Sequence, residues 1–251
     1  MDLQHLNEQQ REAALHTEGP LLILAGAGSG KTRVLTHRIA YLIEEMQVPS
    51  YYILAITFTN KAAHEMKERV DRLIGDAAAD AWISTFHSFC LRILRRHSKS
   101  IGYESGFTIY DPEDQKSVIR RIMKMWTPRT VLAAISAAKN DLIGPDDYRR
   151  AARGDYSKEM ISRLYVEYEQ ELLRNQAMDF DDILGKCVRL FAENPDILER
   201  YQDQFRYIMV DEYQDTNTAQ YQIIRQRSGM FSNICVVGDD DQYIYKFRGA
   251  I

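Results

Sequence analysis

Pro20-Leu21-Leu22-Ile23-Leu24-Ala25-Gly26-Ala27-Gly28-Ser29-Gly30-Lys31-Thr32 is the stretch on which the fold turns. Its apolar half is a short continuous run of the kind that forms a strand buried on both faces. It runs directly into glycines. Beyond Gly30 the spacing becomes helical, with Val34, Leu35, Ile39, Leu42 and Ile43 on one side and Arg33, His37, Arg38 and Glu44 largely off it. Strand, glycine turn and helix follow in that order. Ala25 to Thr32 matches the phosphate-loop pattern G-x-x-x-x-G-K-[ST], with Ala25 in the first glycine position. Gly28 and Gly30 let backbone N–H groups turn inward around phosphate oxygens, and the helix N-terminus adds partial positive charge. In this pattern Lys31 reaches the β- and γ-phosphates and Thr32 a Mg²⁺ ion.

Working outward, the same alternation recurs. Tyr52 to Ile56 reads as a strand followed by a helix from Lys61 to Leu73, Ala81 to Ser84 as a third strand, and Tyr207 to Val210 and Ile234 to Val237 as two more. Five short apolar strands alternating with helices predict a parallel α/β sheet. From about Leu91 to Gln204 helical patterns dominate, apart from a weak strand run at Phe107-Thr108-Ile109-Tyr110, so an inserted all-helical subdomain is expected. Asp111-Pro112-Glu113 and Asn194-Pro195-Asp196 have the chemistry of helix starts within it. The expected division is 1–90 and 205–251 for the sheet domain and 91–204 for the insertion.

The 251 residues suffice for one sizeable core and a second small one. Lys and Arg number 32 against 36 Asp and Glu, a net charge of −4, which argues against coating nucleic acid or anionic membrane by bulk charge. Any nucleic-acid site must be local. Cys90, Cys187 and Cys235 are odd in number and far apart, so neither a disulfide framework nor a four-ligand zinc site fits, and a reducing interior is expected. No apolar run approaches a membrane span, and Met1-Asp2-Leu3-Gln4 lacks the pattern of a secretory leader, so the expected location is the cytoplasm with no membrane partner.

A phosphate loop needs a carboxylate strand to hold the metal, and Ile208-Met209-Val210-Asp211-Glu212 supplies an apolar strand ending in two acids. Asp211 would ligate Mg²⁺ directly or through water. Glu212 would align and deprotonate an attacking water, a role that favours hydrolysis over transfer to a substrate hydroxyl.

Asp211-Glu212-Tyr213-Gln214-Asp215 resembles the second helicase motif of the UvrD/Rep/PcrA group of superfamily-1 DNA helicases. Further segments resemble that group in the right order: Leu6 to Gln10 its Q motif, Ala55 to Ala63 its motif Ia, and Thr85-Phe86-His87-Ser88 the motif after it. Met178 to Leu184 resembles the segment near the return from the inserted domain, and Val237 to Gln242 through Gly249-Ala250 motif III. The resemblance covers essentially the whole chain. It implies a RecA-like domain, called 1A, interrupted by a helical domain 1B, with ATP and Mg²⁺ as cofactors and single-stranded DNA as partner. It further implies ATP-driven movement 3′→5′ along that strand. Carried over by position, Gly26, Ala27, Gly28, Ser29, Gly30, Lys31 and Thr32 hold the nucleotide. Gln10 reads the adenine edge, Arg33 lies against the base, and Gln242 senses the γ-phosphate. Lys31, Glu212 and Gln242 are thus the expected catalytic residues and Thr32 and Asp211 the metal ligands. The expected DNA contacts are Phe58, Asn60, His87, Tyr245, Phe247 and Arg248. Phe247 stands where the family often has tryptophan, and Tyr243 where it usually has serine.

Stacking on aromatic faces tolerates any base, and Phe58 and Phe247 sit in polar segments, which favours a DNA role over a core one. The basic run Arg92 to Lys99 is read as a solvated helix face ahead of a DNA track. The acids Asp179, Asp181 and Asp182 are read as a helix N-terminal cluster ahead of a second metal site, and His87 with Cys90 is not read as a metal site. The chain ends immediately after motif III. The resemblance places the arginines that stabilise the transition state in a second RecA-like domain of the same chain, here missing, so weak hydrolysis and no unwinding are expected. The alternatives are an ATP- and single-stranded-DNA-binding module without useful turnover, and a phosphate-loop enzyme unrelated to nucleic acid. Glu212, Gln242 and the aromatic positions oppose the last.

Overall fold

In a computed structural model that describes residues 3–26, 28–123, 127–213, 216–227 and 233–239, the apolar runs become strands of one parallel sheet. The chain opens with α1 (Glu8–Leu15), β1 (Leu21–Leu24), α2 (Lys31–Glu44), β2 (Ile53–Thr57), α3 (Asn60–Ile74), β3 (Trp82–Thr85) and α4 (Phe86–His97). The helical segment then supplies β4 (Thr108–Tyr110), α5 (Pro112–Ile122), α6 (Pro128–Asn140), α7 (Pro145–Ala151), α8 (Tyr156–Arg174), β5 (Ala177–Asp179) and α9 (Phe180–Glu193). Last come α10 (Pro195–Gln204), β6 (Tyr207–Val210), α11 (Thr218–Arg227) and β7 (Ile234–Gly238).

The sheet order is β1-β7-β6-β2-β3, with every neighbouring pair parallel. Leu24 lies opposite Gly238, Ile56 opposite Val210, and Thr57 opposite Thr85, so the carboxyl ends of the strands form one common edge. β2 is buried at all five positions, as a central strand of Ile, Leu and Ala must be. β1 departs from its expected burial on both faces. It is the end strand of the described sheet, and Leu22 and Leu24 remain 38% and 43% exposed. Only its other face is covered, where Ile23 packs against Leu6, Ala14 and Val34.

The main core gathers Leu35, Ile39 and Leu42 of α2, Ile53 and Ala55 of β2, Met66 and Val70 of α3, Met209 of β6, and Cys235 and Val237 of β7. Each fully buried Leu or Ile contributes about 1.5–3 kcal/mol. α2 is more deeply enclosed than its amphipathic pattern indicates, because α1 covers the side that faces away from α3. His37 is buried and Arg38 is 1% exposed. The Arg38 guanidinium donates to the carbonyls of Ala13, His16 and Thr17, the unpaired acceptors at the end of α1. Burial lowers its pKa from the usual arginine value, opposed by the nearby Glu18 carboxylate.

Two compact units result: the described residues of Met1–Ser88, Asp196–Thr216 and Ile224–Ile251, and those of Phe89–Pro195 with Asn217–Ile223. Helix α10 therefore groups with the sheet unit, whereas the sequence reading placed it in the insertion. Its Ile197 and Tyr201 are buried, and the Tyr201 ring stacks on Phe205, whose own ring meets Trp82 of β3 edge to face. The second unit has its own core, Val118 and Ile119 of α5, Val131 and Ile135 of α6, and Leu164, Tyr165, Tyr168 and Leu172 of α8. It is not all-helical as expected, since β4 and β5 pair as a two-stranded parallel ladder. Three residues of β5 are too few to show a strand period. No helix among the described residues is long and apolar enough to cross a membrane.

Candidate functional site

The glycine turn that follows β1 uses the conformational freedom the pattern demands: Gly28 and Gly30 have φ of 76° and 83°, in the left-handed region. Gly30 is the N-cap of α2 and offers no side-chain acceptor. The first amides of α2 thus remain directed outward at the positive end of the helix, the arrangement that receives phosphate. Lys31 and Thr32 are the first residues of that helix, and Arg33, the next, is exposed.

Helix α1 presses a side chain onto this loop. Asn7 and Gln10 form a reciprocal capping box, the Gln10 amide donating to Asn7 Oδ1 at 2.8 Å and the Asn7 amide to Gln10 Oε1 at 3.0 Å. Gln10 Nε2 then donates to the Ser29 carbonyl at 2.9 Å, and a Cβ on Gly30 would stand only 2.9 Å from that nitrogen. Gln10 thereby ties α1 to the phosphate loop and keeps a second N–H for a ligand edge.

Across the sheet edge, β6 delivers Asp211, whose amide donates to Ile56 O at 3.0 Å. The side chain is 7% exposed. Its Oδ2 accepts from Thr32 Oγ1 at 3.2 Å and its Oδ1 from the Glu212 amide at 2.9 Å. Desolvation raises its pKa above the usual aspartate value, opposed by those two hydrogen bonds and by the charge of Lys31. A hydroxyl and a carboxylate at this separation are hard oxygen donors of the kind Mg²⁺ takes together with phosphate oxygens. Glu212 is exposed and adopts φ of 51°, a left-handed conformation uncommon for a side chain of its size.

Phe58, Asn60 and His87 follow β2 and β3, which are neighbours, so the sheet sets the three on the same carboxyl edge. The Phe58 ring is half-buried and meets the buried Phe86 edge to face at 5.5 Å. Asn60 is exposed at the start of α3, which Thr59 caps. His87 is half-buried, and desolvation lowers its pKa to about 4, so the ring is neutral near pH 7. Ala27, Gln242, Tyr243, Tyr245, Phe247 and Arg248 lie outside the described residues.

Elsewhere, Arg92, Arg96 and Lys99 of the basic run are exposed, as a solvated helix face requires, whereas Arg95 is not. Arg95 donates to the carbonyls of Ser105 and Phe107 and lies 3.9 Å over the Phe107 ring, which removes it from any DNA track on α4. Asp179 and Asp182 form a capping box at the start of α9. Together with Glu169 they surround the buried Lys139 ammonium at 2.7, 2.9 and 2.5 Å. The three carboxylates have the spacing of a metal cluster, but a lysine already occupies their centre. Lys139, Arg38 and the Gln10–Ser29 contact escaped the sequence reading, because a lone Lys or Arg in a helical run reads as solvated.

Residues 6–251 match the UvrD/REP helicase N-terminal domain. The chain is 55% identical over 255 aligned positions to the ATP-dependent DNA helicase PcrA of Staphylococcus aureus strain Mu50, covering 99% of this chain and 35% of that protein. It is 53% identical to the proteins of the same name from Bacillus subtilis strain 168 and from Staphylococcus epidermidis, again over 99% of this chain and 34% and 35% of theirs. It spans about a third of the length of the curated relatives it matches.

Proposed function

We propose that this chain, which belongs to the UvrD/REP helicase family, is the ATP-binding motor half of a DNA helicase that couples ATP hydrolysis to 3′→5′ movement along single-stranded DNA. The observation that carries the reading is the meeting of Thr32 and Asp211 at 3.2 Å beside uncapped helix amides, on the sheet edge that also bears Phe58 and His87. In this reading the sheet unit is domain 1A and the insertion domain 1B.

Lys31 and the α2 amides hold the β- and γ-phosphates, with Gln10 and Arg33 against the adenine. Thr32 and Asp211 would hold Mg²⁺, which when bound neutralises charge developing on the phosphates. Glu212 orients a water and takes its proton, and Gln242 responds to the γ-phosphate. Phe58, with Tyr245 and Phe247, stacks bases, while Asn60, His87 and Arg248 contact the strand. His87 acts as a neutral hydrogen-bonding group. Arginines that stabilise the transition state belong, in this reading, to a second RecA-like domain outside these 251 residues, and the isolated chain hydrolyses ATP slowly.

ATPase rates with and without oligothymidine, measured on this chain and on a chain extended to the length of the relatives, test the proposal. Stimulation by DNA in the longer chain and little in the shorter is expected. Binding of ATP and oligothymidine with no turnover in either would leave a binding module, and hydrolysis indifferent to DNA in both would end the helicase reading.

A further inference from the structure

Just past Glu212 the chain leaves the sheet unit: Asp196–Thr216 belongs to that unit and Asn217–Ile223 to the second. Helix α11 therefore starts among residues of the insertion, and its start is tied there. Asn217 and Gln220 cap it reciprocally, the Gln220 amide donating to Asn217 Oδ1 at 2.9 Å and the Asn217 amide to Gln220 Oε1 at 3.0 Å. A backbone donor on Oδ1 fixes which way the Asn217 side chain turns, and its Nδ2 donates to Asn140 Oδ1 at 3.2 Å. The Thr218 hydroxyl donates to Asp141 Oδ1 at 3.1 Å.

The receiving end of α6 is itself held firmly. Lys139, the residue before Asn140, is surrounded by Glu169, Asp179 and Asp182 at 2.5, 2.7 and 2.9 Å. Leu142 takes φ of 57°, the Ile143 amide turns back to Ala138 O at 2.8 Å, and the Tyr165 hydroxyl donates to Ile143 O at 2.9 Å. Asn140 and Asp141 thus stand between a buried ion cluster and a fixed turn.

Glu212 needs such a hold. A left-handed φ of 51° in a residue of its size persists only where the surrounding structure over-determines it. Before it, the Asp211 amide donates to Ile56 O at 3.0 Å. After it, the Thr216 amide and hydroxyl both donate to Tyr213 O, at 3.2 and 2.8 Å, and the next residue is Asn217.

We propose that Asn140 is a positioning residue for hydrolysis: by holding Asn217 it keeps Glu212 in the backbone conformation from which its carboxylate meets the attacking water. Asp141 has the lesser part, since its contact with Thr218 is exposed to solvent. The proposal rests on the reading of Glu212 as the base, and it gives the buried Lys139 cluster a purpose, as the fixed point from which the hold is exerted.

The test is ATP hydrolysis at saturating oligothymidine by a chain extended to the length of the relatives. The parent is compared with Asn140→Leu, which fills similar space without an acceptor, and with Asn140→Asp, which keeps one. Affinity for a fluorescent ATP analogue and thermal melts are measured alongside. Asn140→Leu is expected to lower kcat about tenfold, as a small misplacement of a catalytic group does, while KM for ATP and analogue affinity stay unchanged. Asn140→Asp is expected to keep most of the parent kcat. If Asn140→Leu does not fold, Asn140→Ala, which adds no bulk, carries the same expectation. A parent-like kcat without the acceptor, or an equal loss in Asn140→Asp, overturns the positioning assignment alone. A fall in kcat matched by lost analogue affinity and a lowered melting temperature overturns it in favour of a purely structural contact. Hydrolysis at the parent rate by Glu212→Gln overturns instead the reading of Glu212 on which the proposal rests.

Discussion

The Thr32 hydroxyl donates to Asp211 Oδ2 at 3.2 Å, joining the start of α2 to the end of β6 although the whole insertion lies between them in the chain. Parallel pairing makes this possible. β6 is held between β7 and β2, so the residue after Val210 emerges on the edge where the phosphate loop begins. Lys31→Ala is expected to weaken binding of a fluorescent ATP analogue at least tenfold with an unchanged circular dichroism spectrum, because in the proposed reading Lys31 serves phosphate and not the core. Thr32→Val removes one hydrogen bond, about 1 kcal/mol of stability, and should selectively weaken the Mg²⁺ dependence of binding.

In the proposed mechanism Glu212 combines a chemical role with backbone strain. Its φ of 51° costs a non-glycine residue about 1 kcal/mol. Glu212→Gly should therefore match or exceed the parent in thermal stability while removing the base that acts on water. Glu212→Gln should keep both the strain and the nucleotide affinity and lose turnover in the extended chain. A Glu212→Gly variant that melts clearly below Glu212→Gln would show that the left-handed conformation is not strained.

Lys139 is the nearest cation to three buried or half-buried carboxylates, with Lys186 3.9 Å from Asp182 as a second, more distant one. Its own pKa is held well above the usual 10.5 by Asp182, Asp179 and Glu169, against desolvation. A raised folded-state value means that this contribution is complete below pH 10.5 and is lost as pH rises through the folded value. Lys139→Met should cost about 3–5 kcal/mol at neutral pH, the penalty for leaving buried charges unpaired. In that variant the orphaned carboxylates bind protons more tightly in the folded state than in the unfolded, so its stability should rise as pH falls from 7 towards 4. Urea melts at pH 7 and pH 5 would measure this, and a variant that weakens further at pH 5 would contradict it.

Legibility in the sequence followed locality. The five strands and the phosphate loop were readable because each is one contiguous run whose chemistry is complete within a few residues. The pairing of Thr32 with Asp211 was readable because a phosphate loop requires a second carboxylate. What stayed hidden depended on partners distant in sequence. Arg38 looked solvated on the α2 pattern until α1 folded over it, and Lys139 gave no sign of the acids brought to it from α8, β5 and α9. The exposure of Leu22 and Leu24 likewise depends on β1 standing at the end of the described sheet, which strand composition does not encode.

Phe58 and Phe86 meet edge to face at 5.5 Å, yet their exposures differ enough to separate a DNA role from a packing role. Phe86 is 2% exposed, so Phe86→Ala should cost about 3–5 kcal/mol of stability. Phe58 is only half-buried, on the sheet edge that also carries His87 and Asn60. Phe58→Leu retains apolar contact with Phe86 while removing the flat face on which a base would stack. It should therefore melt close to the parent and yet bind oligothymidine more weakly by about 1–3 kcal/mol, the value of one stacked base. The salt slope should not change, because no phosphate contact is lost. Parallel titrations and thermal melts of Phe58→Leu decide the matter: unchanged DNA affinity with a lowered melting temperature would return Phe58 to the core and leave His87 and Asn60 as the strand contacts at this end of the sheet.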